Sequence, residues 1–482
     1  AEPGRDSFSV TSLKINYDLQ WADLTSVSSY AWRQFPRTTD GTYFNSEFVG
    51  YFVDQILALP GLDGNLDGNK LAALPGPVYN SLSTKQWTQE LRLSSKAYDP
   101  NAGLPISWLA GLYMSDAKYQ GSSYQYIPGF NQTFLATYGM APQDALGAAT
   151  PNDLFYQFTN SLDDREFAVF GEFSYYPMPR LKLTAGAREL YGKDAETDVS
   201  SGFFASTPYH RGELKAHALT PKVSVSYDVT PSVTTYATAG QGFRLGGINA
   251  PVPAVQCAAD LAAFGLAQAP SNYQSDKVWN FEVGTKGLYF DKVTSINAAL
   301  YDIEWDKIQL DVPLKTCGFD FIDNLGHARS YGSEIEIQQK VGSDLTLGVS
   351  AQYNHDTFTQ DVGGLGISKG DLVPGSPSWS STLTADYQHP VAGSLKGFVH
   401  ADWKYIGSSH GTFVQTNNDY RRPSYSLLGA SMGIDGGSWQ ISVFAKNLLN
   451  ENKIIQSPAD NFVAEGYTPV PRIIGVAGDY RF

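Results

Sequence analysis

The chain has 482 residues and a formal charge of −14, with 42% hydrophobic, 13% aromatic and only 17% charged residues. So many rings with so few charges exclude a disordered chain, and the acidic balance argues against nucleic acid or an anionic surface as partner. No run approaches the roughly 18 apolar residues of a membrane helix, which excludes helical spans but leaves open strands that show only alternate residues to lipid.

The opening Ala1-Glu2-Pro3-Gly4 has neither the basic start nor the apolar core of a signal peptide. The numbering then begins after processing, or an N-terminal part precedes it. From there alternation dominates. Leu181, Leu183, Ala185 and Ala187 alternate with Lys182, Thr184, Gly186 and Arg188, and Leu345, Leu347, Val349, Ala351 and Tyr353 alternate with polar residues or glycine. One apolar and one polar face make a half-buried strand. In chain order, strands are predicted near 8–18, 22–33, 86–95, 106–118, 164–177, 179–192, 212–228, 231–243, 275–290, 292–306, 328–341, 343–357, 376–389, 394–407, 420–435, 437–447 and 469–482.

Every second connection carries tight-turn chemistry: Pro177-Met178-Pro179, Asp228 to Pro231, Asp291-Lys292, Gly342-Ser343-Asp344 and Asp435 to Ser438. The others are long, near 34–85, 119–163, 193–211, 244–274, 307–327, 358–375, 408–419 and 448–468. Short turns at one end and long loops at the other are the mark of an outer-membrane barrel. The predicted fold is all-β, a transmembrane antiparallel β-barrel occupying 1–482 as one domain. Bacterial barrels have an even strand number. About seventeen strands therefore predict that an odd number lies upstream or comes from another chain. The last strand alternates Ile474, Val476, Tyr480 and Phe482 against Arg472, Asp479 and Arg481, with Phe482 as the barrel-assembly signal.

Several segments resemble the TonB-dependent outer-membrane receptors. They are Gln86-Trp87-Thr88-Gln89-Glu90-Leu91-Arg92-Leu93-Ser94-Ser95, Tyr236 to Asn249 with Gly242-Phe243-Arg244-Leu245-Gly246-Gly247, Trp279 to Lys286, Asn297 to Gln309, Ala328 to Glu336, and Phe444 to Asn450. The resemblance implies a barrel of 22 strands with a plugged lumen, here from the sixth strand onward. The plug and TonB box have no counterpart, Leu245 stands where many relatives have Ser or Pro, and Ser275-Asp276 replaces Pro-Glu. It further implies uptake of a scarce, bulky ligand, most often a ferric siderophore, driven through TonB in the bacterial outer membrane. The surroundings would be lipid and lipopolysaccharide. The other reading is a structural or passive-pore barrel component. No nucleophile elbow, phosphate loop or zinc motif suggests an enzyme, and no cofactor is implied.

Cys257 and Cys317 fall in consecutive long loops separated by one hairpin, in an oxidising compartment, which favours a disulfide. Arg244 and Asn249 stand at the rim, where charge-assisted hydrogen bonds could hold an anionic chelate. Among the loop aromatics (Tyr43, Phe44, Phe48, Tyr51, Phe52, Tyr124, Tyr126, Phe130, Phe134, Tyr138), Tyr124 and Tyr126 are candidate stacking residues, although packing of loops on each other is the commoner use of such rings. Lys182, Arg188, Glu334 and Glu336 are read as lumen residues. Asp63-Gly64-Asn65-Leu66-Asp67-Gly68 opens like a calcium loop, but Leu74 stands where the bidentate acid belongs. The seven histidines show no metal-ligand spacing; His327 and His410 lie in or near long loops, where haem is a minor reading.

Overall fold

The computed structural model describes residues 3–42, 45–46, 49–50, 68–101, 103–147, 149–203, 209–255, 257–314, 316–317, 319–410, 421–455 and 467–481. Seventeen strands form one sheet. They are β1 (Ser7–Asp18), β2 (Ala22–Asp40), β3 (Pro77–Ser95), β4 (Ile106–Tyr126), β5 (Leu154–Met178), β6 (Leu181–Gly202), β7 (Tyr209–Thr230), β8 (Val233–Arg244), β9 (Asp276–Tyr289), β10 (Thr294–Asp306), β11 (His327–Val341), β12 (Leu345–Phe358), β13 (Trp379–Ala392), β14 (Leu395–Ile406), β15 (Tyr425–Asp435), β16 (Trp439–Lys446) and β17 (Ile473–Tyr480). Each pairs antiparallel with its neighbour in sequence, so alternate connections gather at opposite ends of the sheet. The predicted turns after β5, β7, β9, β11 and β15 lie at one end, as the meander requires.

The ladder keeps parity across the sheet, and parity sorts the side chains. Phe173, Leu183, Val223, Val225, Phe281, Val283, Leu300, Leu347, Val349, Leu383, Ile441, Val443, Ile474 and Val476 are all exposed on one face. The intervening positions carry Glu172, Lys182, Arg188, Lys222, Glu282, Glu334 and Glu336. An apolar belt this continuous needs an apolar surrounding. Polar side chains on the other face bond one another: the Tyr236 hydroxyl donates to Glu282 Oε1 at 2.7 Å, and Glu334 and Glu336 share a cleft of ≈ 380 Å³ with Lys286 and Asn297.

One feature differs from the sequence expectation. β2 to β6 run 7 to 10 residues past the ends expected at the long-loop side and β7 runs 3, so much of the predicted loops 34–85, 119–163 and 193–211 is regular ladder. In these extensions polar residues occur on both faces (Ser81, Ser83 and Lys85; Gln120, Ser122 and Ser123; Thr159, Asn160 and Ser161) among scattered apolar ones, and the alternation that marks a half-buried strand fades. The number of strands in the sheet, seventeen, is the one expected from the sequence. Among the described residues β1 pairs only with β2, and β17 only with β16. Seventeen antiparallel strands put β1 and β17 in the same direction, so these two cannot pair antiparallel.

The long connections pack into modules with cores of their own. Phe130, Phe134 and Tyr138 of the helix Phe130–Tyr138 bury against Val49, Leu71, Ile127 and Phe155. Ile308, Leu310, Phe358, Val362 and Ile367 make a second core, and Cys257, Leu261, Val312, Leu314 and Phe321 a third. Phe130, Phe134 and Tyr138 are thereby packing residues. Tyr43, Phe44, Phe48, Tyr51, Phe52, the Asp63–Asp67 segment and Phe482 lie outside the described residues.

A charge on the belt separates the two faces energetically. Val283→Arg should cost about 2–4 kcal/mol where hydrocarbon covers the side chain, whereas Asn297→Arg, beside Glu334 and Glu336, should stay within about 0.5 kcal/mol. Denaturant titration of protein folded into lipid vesicles measures both.

Candidate ligand vestibule

At the long-loop end the ladder itself builds a rim. Arg244 ends β8 and Asp276 begins β9, and the two are direct cross-strand partners. Arg244 Nη2 lies 2.5 Å from Asp276 Oδ2, which also accepts from Trp305 Nε1 at 3.1 Å and from the Gln309 backbone N–H at 3.4 Å. The Asp276 carboxylate is 2% exposed, and the Arg244 guanidinium sits 5.5 Å over the Trp305 ring. A buried carboxylate is tolerated only with such partners. Arg244 thus offers the vestibule a half-exposed, largely neutralised edge.

Asn249 does a different job. Both of its side-chain N–H groups donate to loop backbone, to Pro270 O at 3.0 Å and Ile322 O at 2.8 Å, while its oxygen accepts from Ile322 N at 2.9 Å. It clips the loop after β8 to the hairpin Gln309–Leu314/Phe319–Asn324. The side chain is 5% exposed and leaves no donor for a ligand. The disulfide Cys257–Cys317, with Cα atoms 5.3 Å apart, joins the same two loops. Asp260 reinforces it by accepting from the backbone N–H groups of Thr316 at 2.9 Å and Cys317 at 3.0 Å.

Below this roof, on the extensions of β5 to β7 past the apolar belt, the inner wall is acidic. Asp164 faces Asp194 across the ladder, and Asp194, Glu196 and Asp198 follow at intervals of two on one face of β6. Asn160 Nδ2 bridges Glu196 at 2.5 Å and Asp198 at 2.6 Å, and His210 Nδ1 lies 3.2 Å from Asp198. Burial, and next the charge of Asp164, push Asp194 up to about 6. Burial leads in raising Asp164 and Glu196 as well. The sequence reading missed this wall because Asp194, Glu196 and Asp198 fell inside the predicted loop 193–211; their i, i+2 spacing was the signal of a strand.

Other candidate residues are placed apart from the vestibule. Tyr124 and Tyr126 share a face with the exposed Leu112 and Met114, on the outer side of β4. His327 Nδ1 is held 2.7 Å from Asp306. Lys182 and Arg188 do lie on the inner face, Arg188 with its guanidinium 5.1 Å over the Tyr113 ring.

Two measurements follow from this geometry. Asp194 has its folded pKa raised above the unfolded 3.8, so its stabilising contribution is complete below about pH 4 and disappears as pH rises through about 6. Asp194→Asn should flatten the stability profile between about pH 4 and 6 and leave the protein more stable than the wild type at pH 7.5. Reducing the disulfide, which closes a separation of 60 residues, should cost the loop module about 2–4 kcal/mol. Hydrogen exchange should quicken at 249–274 and 309–324 while the strands below keep their protection.

The chain matches the family model for the TonB-dependent receptor-like β-barrel over residues 2–448. It is 28% identical over 159 residues to the ferrioxamine receptor of Yersinia enterocolitica, an alignment covering 33% of this chain and 20% of that protein. Its fold is similar to the ferric yersiniabactin uptake receptor of Yersinia pestis, with a TM-score of 0.72 at 15% identity, covering 99% of this chain and 62% of that one. It is also similar to a copper transporter, with a TM-score of 0.67 at 12% identity, covering 100% and 66%. The chain thus spans less than two thirds of the length of these relatives. Model match, strand order and two-faced sheet agree: the chain belongs to the TonB-dependent receptor-like β-barrel family.

Proposed function

We propose that this chain forms most of the barrel wall of an outer-membrane receptor that imports a scarce, bulky ligand, a ferric siderophore before other cargo, with energy delivered through TonB. The observation that carries the reading is the two-faced sheet: an apolar belt outside, charged side chains inside, and a roof of disulfide-pinned loops at one end only. The ferric-chelate receptors among its relatives support the cargo class. The shared orientation of β1 and β17 calls for an odd number of further strands; five would give 22, and a plug would gate the lumen. The neutralised Arg244 and the acidic wall favour a neutral or cationic chelate over an anionic one. No catalytic step is part of this reading.

The test is uptake. A strain lacking the gene should lose transport of one iron chelate, and a strain lacking TonB should lose the same one. Unchanged uptake of every iron chelate would contradict the siderophore assignment. Steady conductance of the whole receptor in planar bilayers, independent of TonB, would favour a passive pore.

A further inference from the structure

The roof at the long-loop end is seated on the acidic wall, and apolar side chains seat it. Its base is a two-residue ladder, Gly247–Ile248 against Asn272–Tyr273. From this base Leu245 reaches Gly192 of β6, and Ile248 reaches Gly212 of β7. A Cβ on Gly212 would overlap Ile248 Cγ2, and one on Gly192 would press Leu245 Cδ1 at 3.1 Å. Both glycines lie on the inner face, and both are direct ladder partners of acids, Gly192 of Glu166 and Gly212 of Glu196. Hydrocarbon is thus laid beside carboxyls.

The wall has little with which to answer its own charge. β5 contributes Asp164 and Glu166, and β6 contributes Asp194, Glu196 and Asp198. Asp198 is provided for by Asn160 and by His210 of β7, which also acts more weakly on Glu196. Arg188 gives Glu166 a partial counter-charge while lying over the Tyr113 ring. Arg244, at the foot of the roof, is taken up by Asp276. Tyr119 of β4, Tyr156 of β5 and Tyr273 of the roof bring only neutral phenols, and Asp116 of β4 adds repulsion on Asp164. Asp164 and Asp194 therefore face each other with no ion pair to a described residue. Covering such groups is tolerable while they are neutral and costs the desolvation of a charge once they ionise.

We propose that wall and roof form a proton-dependent latch: the roof stays seated while the carboxyls of Asp164, Asp194 and Glu196 hold protons, and it lifts when they ionise. Linkage ties the two directions together, because whatever seats the roof favours proton uptake by the wall, and whatever charges the wall unseats the roof. Asp194 loses its proton as pH rises through about 6, so the seated form belongs to the acid side. The roof moves as one body. Besides the disulfide and Asn249, Gln309 Nε2 donates to Leu245 O at 2.8 Å and to Gln274 O at 3.0 Å. As regulation of the vestibule the latch rests on the uptake reading above, since a lifted roof uncovers a negative wall to incoming cargo.

The movement is measured on the whole receptor in lipid vesicles, without cargo. Spin labels on Val255→Cys, at the exposed tip of the roof, and on Lys215→Cys, exposed on β7, report the distance between them by pulsed double resonance. Wild type should show one short distance at about pH 5 and a longer population that grows with pH, its midpoint at about 6. Asp194→Asn with Glu196→Gln should keep the short distance up to about pH 8. Gly212→Val, which leaves Ile248 no seat, should show the longer distance already at about pH 5. A wild-type distance that does not change with pH, or the same titration in the Asn/Gln variant, would overturn the latch. A latch that titrates as expected, in a receptor whose deletion strain keeps uptake of every iron chelate, would sink the import reading and leave the latch standing.

Discussion

Everything in this molecule depends on the strand's period of two, held in register across a ladder of seventeen strands. A slip of one residue in any strand would turn its apolar row inward and its charges outward. Because the register is continuous, Val225, Val283, Leu300 and Val443 stay on one face while Glu172, Lys182, Glu282 and Glu334 stay on the other. Backbone hydrogen bonding is satisfied between strands, as a hydrocarbon surrounding requires. The same parity makes the two sheet edges parallel in direction, which sets the closure problem.

Above the belt the constraint relaxes. With water on both sides a strand can carry any polar residue on either face, and β2 to β7 do. These extensions place the acidic wall of Asp164, Asp194, Glu196 and Asp198 on the inside. The loops beyond them hold together by means that owe nothing to the sheet: a disulfide, an asparagine clip at Asn249 and three small apolar cores.

The membrane-height part of the fold was legible in the sequence because lipid imposes alternation there. Runs such as 181–188 and 345–353 could be nothing else, and the turns Asp228 to Pro231 and Gly342 to Asp344 punctuate them. The cysteine pair was legible from loop order. What stayed hidden needed register. Asp276 was noticed only as a departure from Pro-Glu, and its service to Arg244 shows once β8 and β9 are aligned. Tyr124 and Tyr126 read as cargo contacts while β4 was thought to stop near 118. Carried on with the parity of Leu112 and Met114, they point away from the lumen.

The central claim is that alternate residues of these strands face lipid and lumen, and depth-resolved labelling tests it most directly. Single cysteines placed in turn at positions 279 to 286 of β9, each carrying a fluorophore in vesicles, would be quenched by lipid-borne and by aqueous quenchers. The account predicts strict alternation, with lipid quenching at 279, 281, 283 and 285 and aqueous quenching at 280, 282, 284 and 286. Uniform aqueous quenching along the strand would contradict it.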